Sequence, residues 1–343
     1  MGSSPEKISS RRRRSASSRD ACARSRCPPR CGQKAVSNGR FLRAEGHEMM
    51  ERTCHIPSLS PSLLARLHDR CGTSSFHPHL PFVVGPHRVG RISPAVAGEL
   101  ARWPSVFKVT STQVELCAGL NSIELRTEAL SRVAHMLHQE GWFSGWRNET
   151  FAVAPAYGEA PLFYLERAAM RAFGLTMYAA HLNGIVALDA GDDMWLARRS
   201  MSKQIDPGCY DTLVGGGLGD GRGVTETLIR ESWEEAGITP ELARQATPAG
   251  TVRVSMPVSE GWHDEVIFIH DLPLPAGFAP HNSDGEVDEF VRLPLPEILR
   301  LVSDTDDVTV PASFIICDYM LRNGFIAPDT PGYSSLLALI HST

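Results

Sequence analysis

Residues 214–238 read Val-Gly-Gly-Gly-Leu-Gly-Asp-Gly-Arg-Gly-Val-Thr-Glu-Thr-Leu-Ile-Arg-Glu-Ser-Trp-Glu-Glu-Ala-Gly-Ile, a glycine-rich run followed by a cluster of acids. This stretch predicts a loop that leads into a short helix, and Gly237 is the expected C-terminal stop of that helix. On a period of 3.6 residues, Glu231, Glu234 and Glu235 lie at relative angles of roughly 0°, 300° and 40° and share one face. We expect the opposite side to pack into a core, and it carries Ile229, Ser232, Trp233 and Ala236.

The three acids need a compensating charge, because like charges on adjacent turns destabilise a helix by roughly 0.2–0.5 kcal/mol per pair. A hard divalent ion such as Mg²⁺ or Mn²⁺ prefers carboxylate and phosphate oxygens, so it is the natural ligand for such a face. A solvated acidic surface has the same spacing. The spacing by itself therefore leaves both interpretations open.

Residues 230–238, Arg-Glu-Ser-Trp-Glu-Glu-Ala-Gly-Ile, resemble the second half of the Nudix box, whose pattern is Arg-Glu-aliphatic-x-Glu-Glu-x-Gly-aliphatic. Gly216 stands at the opening glycine of that box. Two positions depart from the pattern. Ser232 replaces the aliphatic residue, and Arg222 occupies the position where most Nudix enzymes have their first glutamate.

Further motifs, in order along the chain, resemble the Nudix branch related to thiamine pyrophosphokinase. They are Gly145-Trp146-Arg147-Asn148-Glu149, His181-Leu182-Asn183-Gly184, Arg198-Arg199-Ser200-x-Ser202-Lys203, Pro207-Gly208-x-Tyr210-Asp211-x-Leu213-Val214 and Asp284-Gly285-Glu286-Val287. The likeness covers roughly residues 58–340, and members of that branch also tend to lack the first glutamate. The resemblance implies a diphosphohydrolase that removes one phosphate from thiamine diphosphate and, preferentially, from its oxo and oxy analogues.

The resemblance also implies roles for individual acids. Glu231, Glu234 and Glu235 match the metal ligands of the box, and Mg²⁺ held there would neutralise a diphosphate and activate water for in-line attack on phosphorus. The general base varies in position among Nudix proteins, so Glu286 is the first candidate and Glu235 the second. We place Arg230 of the box with the catalytic residues.

Substrate contacts are expected from three groups of residues. Arg198, Arg199 and Lys203 are candidate diphosphate contacts, and the N–H groups of residues 215–217 can approach phosphate oxygens because no side chain intervenes. The glycines concerned are Gly215, Gly216 and Gly217. Trp146 with Arg147 can stack on a ring and grip a phosphate. Each group also has a structural interpretation: solvated charges, a tight strand-to-helix turn, and a core tryptophan beside an ion-paired arginine.

The pattern of segments predicts an α/β (α+β) fold. We expect a Nudix α/β/α sandwich with a mixed sheet over residues 176–343, preceded by a smaller mixed α/β accessory domain over residues 56–175. Helices are expected after the N-caps Ser60 and Ser93 and over residues 123–140 and 165–173. Residues 82–92 are expected to form a hairpin or a strand and turn, and strands are expected over residues 106–109, 150–153, 178–188, 194–199, 211–214, 251–256 and 264–271.

Residues 1–55 are rich in Ser and Arg and carry 13 Lys or Arg against 5 Asp or Glu, so they predict a disordered basic tail. The tail fits a nucleic-acid or targeting arm, an Arg-rich transit peptide, or upstream sequence from a wrongly chosen start codon. We favour the last, because Met49 and Met50 stand close before the first patterned segment, and the tail's acids weaken the transit interpretation. The whole chain has a net charge of −5, so the remainder is near −13 and we expect no nucleic-acid partner for the folded body.

The eight cysteines form no dense pattern, which predicts reduced thiols and a cytoplasmic location. No run of 18 apolar residues occurs, so no membrane partner is expected. The expected partner is a small-molecule diphosphate. The oligomeric state is left open.

Three other functions compete with the hydrolysis of thiamine diphosphate. One is a Nudix pyrophosphatase acting on a nucleoside diphosphate derivative such as ADP-ribose. Another is a non-catalytic Nudix-like sensor of a diphosphate ligand, against which three repelling carboxylates argue. A third is isopentenyl diphosphate isomerase, which is expected to have a cysteine nucleophile and a Gly-His where this chain has residues 215–217.

Overall fold

The computed structural model describes residues 56, 58–71, 78–189, 191–219 and 221–341. The expected basic tail, residues 1–55, lies outside the described residues, as do the interpretations that depend on it. The first elements are α1 (Pro61–Arg70), β1 (Leu80–Val84), β2 (His87–Ile92), α2 (Pro94–Leu100), β3 (Phe107–Val109), β4 (Val114–Leu116), α3 (Ile123–Gln139), β5 (Thr150–Val153) and β6 (Phe163–Glu166).

Strands β1 to β4 form a four-stranded sheet, the accessory sheet, in the order β2-β1-β4-β3. The hairpin of β1 and β2 is antiparallel as expected, whereas β4, which the sequence pattern did not indicate, runs parallel to β1. Ser93 caps α2 by accepting the N–H of Val96 at 3.2 Å. Phe82 lies at the centre of the packing, with its ring centroid 5.9 Å from that of Phe173.

Residues 165–173 were expected to form a helix, and this expectation is wrong. They begin inside β6, which pairs antiparallel with β5 so that Leu165 lies opposite Phe151. One 3₁₀ turn, Arg167–Ala169, follows the strand. Helical spacing of apolar residues was outweighed here by pairing with a neighbouring strand and by complete burial of Phe163 and Leu165.

The remaining elements form a second layered unit, the C-terminal sandwich. They are β7 (Thr176–Leu188), β8 (Gly191–Arg199), β9 (Tyr210–Thr212), β10 (Val214–Gly217), α4 (Val224–Ala236), α5 (Pro240–Ala243), β11 (Thr247–Val258), β12 (Gly261–Pro273), β13 (Val287–Pro294), α6 (Leu295–Asp304), α7 (Val310–Arg322) and α8 (Tyr333–Ile340). The sheet has the order β11-β12-β7-β8-β13, with β10 on β7 and β9 on β8. It is mixed, because β12 runs parallel to β7 and the other pairs are antiparallel.

Helices cover both faces of this sheet. On one face Ala180 and Leu182 of β7 pack with Leu228 and Ala236 of α4. On the other face the core includes Ala179 together with residues of α6, α7 and α8. The expected fold class, an α/β/α sandwich with a mixed sheet and a preceding accessory domain, is confirmed. In the part of the chain that the structure describes, no helix is both long and apolar enough to cross a bilayer.

Helix α1 packs with the C-terminal sandwich, although it precedes the accessory sheet in the chain. Leu63 and Leu67 are completely buried in the same core as residues of α6 and α8. The Arg66 side chain donates to Ser303 O at 3.1 Å and pairs with Asp306 at 2.7 Å. The expected accessory domain, residues 56–175, therefore contains segments of two cores, and we propose that the domain begins at β1.

Candidate functional site

Helix α4 begins after Gly223 and ends at Gly237, whose φ of +64° is the left-handed conformation expected of a helix stop. Two of its three candidate metal ligands point inwards, which corrects the expected orientation. Glu235 is 8% exposed and the Glu231 side chain 12%, whereas Trp233, expected in the core, is 51% exposed. Ser232 and Ala236 are buried as expected, so the buried stripe of the helix includes Glu235 beside them.

Strand β10 explains how carboxylates can lie against a sheet. The glycines of residues 215–217 were expected in a loop, but they lie in a strand antiparallel to β7. A side chain at Gly216 would overlap Glu231, one at Gly215 would lie 2.6 Å from His181, and one at Gly217 would lie 2.9 Å from Phe151. These glycines are therefore required for close approach of side chains rather than for a turn.

The N–H of Gly215 was expected to approach a phosphate, but it donates to Glu235 Oε2 at 2.9 Å. Gly215 therefore holds a catalytic candidate, and its N–H is not available to substrate in this arrangement. Gly216 and Gly217 line a cavity together with Gly215.

The carboxylates of α4 lie in surroundings that disfavour their charge. Burial raises the pKa of Glu235, and hydrogen bonding from Gly215 opposes this only in part. Burial also raises the pKa of Glu231, the charge of Arg230 opposes the rise, and Glu234, Asp284 and Glu149 add to it. Arg230 donates to Glu234 at 2.6 Å and also to Glu231, so it neutralises two of the three acids.

These residues fit a divalent cation by the chemistry of their donors. Within the described ranges, no three His, Cys, Asp or Glu side chains are already gathered around a single point. Yet the acids are oxygen donors that Mg²⁺ and Mn²⁺ prefer, and burial disfavours the charged forms of Glu231 and Glu235, which a bound cation would stabilise. Glu231, Glu234 and Glu235 are the residues that would hold it.

Glu286 lies on a turn that is hydrogen-bonded to the C-terminal end of α4. The N–H of Ser283 donates to Glu234 O at 2.8 Å and that of His281 to Ala236 O at 3.2 Å. Glu286 accepts from Lys203 and lies 3.5 Å from the Arg147 guanidinium. The structure therefore brings a residue of the accessory domain, Arg147, to the candidate general base.

Lys203 lies between the pair of Glu286 and Arg147 and the acids of helix α4. Its side chain is 12% exposed, and burial lowers the pKa of Lys203 while the nearby Glu235 opposes that effect. A buried ammonium whose charge is disfavoured gains from an anionic ligand. The expected position of Lys203 among the diphosphate contacts agrees with this location.

Arg198 and Arg199 lie on opposite sides of β8, as alternation along a strand requires. Arg199 lines the cavity and lies 3.2 Å from Asp211. Arg198 lies 3.5 Å from Glu289, and its guanidinium is 5.7 Å from the centroid of the Tyr210 ring. The structure therefore separates the expected pair, and Arg198 does not line the cavity.

Trp146 also lies outside the cavity, although it was expected to stack on substrate. Its ring is 5.2 Å from that of His135 and 5.3 Å from that of His138, both on α3. Its indole N–H donates to Asn148 at 3.0 Å. Trp146 therefore packs within the accessory domain, whereas its neighbour Arg147 lines the cavity.

The cavity, which we call the junction cavity, has a volume of about 190 Å³ and lies between the accessory domain and one face of the sandwich sheet. Alternate residues of two paired strands form its floor, Met177, Ala179 and His181 on β7 and His263 and Glu265 on β12. Five side chains that carry positive charge line it: Arg147, Arg167, Arg171, Arg199 and Lys203.

Among the residues of this cavity that the sequence did not indicate are Arg167, Arg171, His263 and Glu265. The two arginines were hidden by the helix expected over residues 165–173. The other two have a signal that could have found them, because polar residues at positions 263 and 265 of a strand share one face.

Comparison with known proteins places these observations in a family. A model described as "Domain of unknown function (DUF4743)" matches residues 63–177, and a model described as "NUDIX domain" matches residues 182–312. Nudix hydrolase 24, chloroplastic, of Arabidopsis thaliana is 36% identical over 288 residues, which is 82% of this chain and 79% of that protein. Nudix hydrolase 20, chloroplastic, of the same plant is 33% identical over 279 residues, with 78% and 75% covered.

Solved structures resemble the chain only in part. The MutT protein from Methanosarcina mazei Go1 is 19% identical, and the match covers 43% of this chain and 95% of that one with a TM-score of 0.35.

The expected cytoplasmic location is contradicted, because both curated relatives from Arabidopsis are named chloroplastic. The cysteines that suggested it are free, as expected, where the structure describes them: Cys71, Cys117, Cys209 and Cys317. Free thiols persist in any reducing compartment, so they do not distinguish the cytosol from the interior of an organelle.

The relatives match across both folded units, and the domain that contains the acid helix matches the NUDIX model. Members of that family typically use divalent metal ions, which agrees with the donors on α4. The chain therefore belongs to the Nudix hydrolase family and is an enzyme that acts on pyrophosphate bonds.

Proposed function

We propose that the protein is a Mg²⁺-dependent diphosphohydrolase of the branch related to thiamine pyrophosphokinase, and that it removes one phosphate from thiamine diphosphate or its oxidised analogues. One observation carries the diphosphate part of this proposal. Five cationic side chains line a single cavity, and the strand β10 that borders it contacts Glu231 and Glu235 of α4. Charge for a diphosphate and donors for a metal ion thus meet at one strand.

The cations of the junction cavity are only partly neutralised by the protein. Arg199 pairs with Asp211 and Arg167 with Glu149, whereas Lys203 and Arg147 share the carboxylate of Glu286. A diphosphate that entered the cavity would take part of this positive charge. Charge-assisted contacts of this kind are about twice as strong as neutral hydrogen bonds, and they orient the ester for attack.

Each residue then has a defined task. When bound, a divalent cation neutralises phosphate charge and acidifies water. Glu231, Glu234 and Glu235 would hold it, and Arg230 keeps the first two in position until then. Glu286 accepts the proton from the attacking water once substrate phosphates draw Lys203 and Arg147 away from it. Glu235 is the second candidate for that proton.

The thiamine part of the proposal is supported by the ordered motifs of that branch and by the apolar residues of the cavity. A cavity of about 150 Å³ is known to hold benzene, so about 190 Å³ accommodates one substituted ring, and the rest of the ester would extend beyond it. Apolar walls for the faces of such a ring are provided by Phe143, Phe151, Met177 and Met256.

A substrate panel tests the proposal. We expect phosphate release in Mg²⁺ from thiamine diphosphate and faster release from its oxo and oxy analogues, with ADP-ribose the slower substrate. Glu235→Gln should lower kcat by about 100-fold or more, because a buried metal ligand is lost, while the circular dichroism stays that of the wild type. Glu226→Gln is the matched control, since Glu226 is an exposed acid of the same helix.

The outcomes separate the competing functions. Preference for ADP-ribose would replace thiamine diphosphate by a nucleoside diphosphate derivative. Ligand binding without turnover in saturating Mg²⁺ would indicate a sensor. Equal rates for the wild type and Glu235→Gln would contradict the assignment of the acid helix.

A further inference from the structure

Among the polar side chains of the junction cavity, His263 and Glu265 have no task in the hydrolysis described above, and Arg171 entered it only through its charge. His263 and Glu265 occupy alternate positions of β12 and so share the face that forms the floor of the cavity. Arg171 follows β6, and its carbonyl oxygen accepts the N–H of Trp262 at 2.9 Å. This hydrogen bond holds the Arg171 segment of the accessory domain against β12.

His263 is buried but has incomplete hydrogen bonding. It is 3% exposed, and within the described part of the chain neither ring nitrogen has a hydrogen-bond partner. Its Nε2 lies 3.4 Å from a Glu265 oxygen without the geometry of a hydrogen bond. Buried polar groups of native proteins are nearly always paired, so an imidazole in this state, in the wall of a cavity, indicates a ligand.

Arg171 and Glu265 offer complementary groups at the same place. Among the described residues, Arg171 forms no side-chain hydrogen bond or close ion pair, although the charges of Glu265, Glu260 and Asp206 act on it. Burial alone would raise the pKa of Glu265, but contact with His263 and the charge of Arg171 hold that pKa below its ordinary value. Arg171 is therefore purely a donor and Glu265 purely an acceptor at neutral pH.

Methionines stand on both sides of these polar groups. In the register of the sheet, Met177 of β7 is opposite Glu265 and Met256 of β11 is opposite His263. Both methionines line the cavity. The site thus combines apolar, polarisable walls with a donor and an acceptor at its floor, which suits a flat polar ring.

We propose that Arg171, His263 and Glu265 form a subsite for a nitrogen heterocycle that presents a hydrogen-bond donor and an acceptor side by side on one edge. Arg171 donates to the acceptor, Glu265 accepts from the donor, and His263 takes either role according to its tautomer. The inference rests on the proposed function in that this ring is the organic part of the diphosphate ester. A hydrocarbon group would leave all three side chains unpaired, so the subsite selects against diphosphates of apolar alcohols.

Kinetics with two substrates test the subsite. The substrates are thiamine diphosphate, whose aminopyrimidine has the required edge, and an analogue in which a phenyl ring replaces that pyrimidine. For the wild type we expect KM to be at least about tenfold lower for thiamine diphosphate, since one lost charged hydrogen bond has that order of effect. Glu265→Gln should raise KM for thiamine diphosphate about tenfold, change kcat less than about twofold, and leave the phenyl analogue unaffected.

Matched controls keep the test independent of folding. Glu128→Gln removes the same charge from the exposed face of α3 and should behave as the wild type. The comparison of the two substrates with the wild type needs no variant, so it stands even if Glu265→Gln unfolds. Equal KM values for the two substrates with the wild type would overturn the inference, as would an unchanged preference in a folded Glu265→Gln protein.

Calorimetry with thiamine itself separates failure of the subsite from failure of the proposed function. If the wild type hydrolyses neither diphosphate but binds thiamine, and Glu265→Gln weakens that binding about tenfold, the proposed hydrolysis is wrong and the subsite stands. If both diphosphates are hydrolysed but thiamine binds equally to both proteins, the subsite is wrong and the hydrolysis stands. If the wild type does not bind thiamine and its KM values for the two diphosphates are equal, the subsite is wrong.

Discussion

Glu235 is the acid whose chemistry depends most on its surroundings. It is 8% exposed, accepts a backbone hydrogen bond at 2.9 Å from Gly215 and lies close enough to Lys203 for their charges to interact. Burial raises the pKa of Glu235, so without a metal ion the folded protein favours its neutral form. A carboxyl group in this state is available both to bind an ion and to exchange a proton.

We predict that Glu235 makes the stability of the metal-free protein depend on pH. The pKa of Glu235 is raised from 4.5 to about 8, so between these values the folded state binds a proton that the unfolded state has lost. The free energy of unfolding should therefore fall as pH rises through that window. Glu235→Gln cannot lose this proton, and its stability should depend less on pH.

Urea denaturation in the presence of a chelator, from pH 5 to pH 8, measures this effect. Glu226→Gln serves again as the control and should keep the wild-type slope. Identical slopes for the wild type and Glu235→Gln would show that burial does not perturb this carboxyl group.

The candidate site shows which residues a sequence can indicate. The acids of α4 and the group formed by Lys203, Glu286 and Arg147 were indicated by motifs, and the structure places them together. Arg171 could not be indicated, since its position depends on how β6 pairs with β5. For Trp146 the sequence left a core position and a substrate contact open, because no motif reveals that two histidines of α3 contact its ring.

Strand β10 and helix α4 pack closely because the strand consists largely of glycine. Three successive glycines leave room for the side chains of His181, Glu231 and Phe151. His181 and Phe151 lie over the face that borders the cavity, and Glu231 lies over the face that borders α4. The strand thus has Glu231 on the face opposite the junction cavity, while Glu235 accepts the N–H of Gly215 in the strand itself.

We predict that Gly216→Ala displaces Glu231, because the added methyl group overlaps that side chain. The affinity for Mn²⁺, measured by electron paramagnetic resonance, should fall at least about tenfold, and overpacking should lower the free energy of unfolding by about 1–3 kcal/mol. Gly98→Ala is the control, because Gly98 lies within α2 with nothing within 4 Å. That variant should be slightly more stable than the wild type. Unchanged Mn²⁺ affinity in Gly216→Ala would contradict the role of this contact.

Local signals predicted several elements and failed for others. Ser60 and Ser93 cap α1 and α2 as expected, since a cap is a contact between near neighbours in sequence. The strand β6 and the inward direction of Glu235 depend on partners at a distance, β5 and β10 respectively. Trp233 was expected in the core because the helical period places it opposite the acids, but Glu235 lies on the buried side and Trp233 is exposed.

The chain contributes to the core of the C-terminal sandwich both before and after it forms the accessory sheet. Helix α1 belongs to the core of the C-terminal sandwich, the chain then forms the accessory sheet, and β7 re-enters the sandwich. Leu67 of α1 is completely buried there, in the same core as residues of α6 and α8. Stability of the catalytic half therefore depends on a segment that precedes the accessory domain.

We predict that Leu67→Ala lowers the free energy of unfolding of the whole protein by about 2–5 kcal/mol, because it leaves a cavity in the sandwich core. Leu125→Ala removes the same atoms from a position on α3 that is 44% exposed and should cost less than about 0.5 kcal/mol. Thermal unfolding of both variants measures the difference. Equal losses would show that α1 contributes nothing to that core.

Arg147 reaches from the accessory domain to Glu286, and Phe151 of the same domain lies over Gly217 in the sandwich. A graft of the C-terminal sandwich onto another scaffold therefore needs residues 143–171 as well. Gene fusions or shuffled chimaeras that exchange only the C-terminal half would inherit the acids but lose one wall of the binding chamber. The two halves have therefore to diversify in concert during evolution, and a new ring preference can arise from changes on either one.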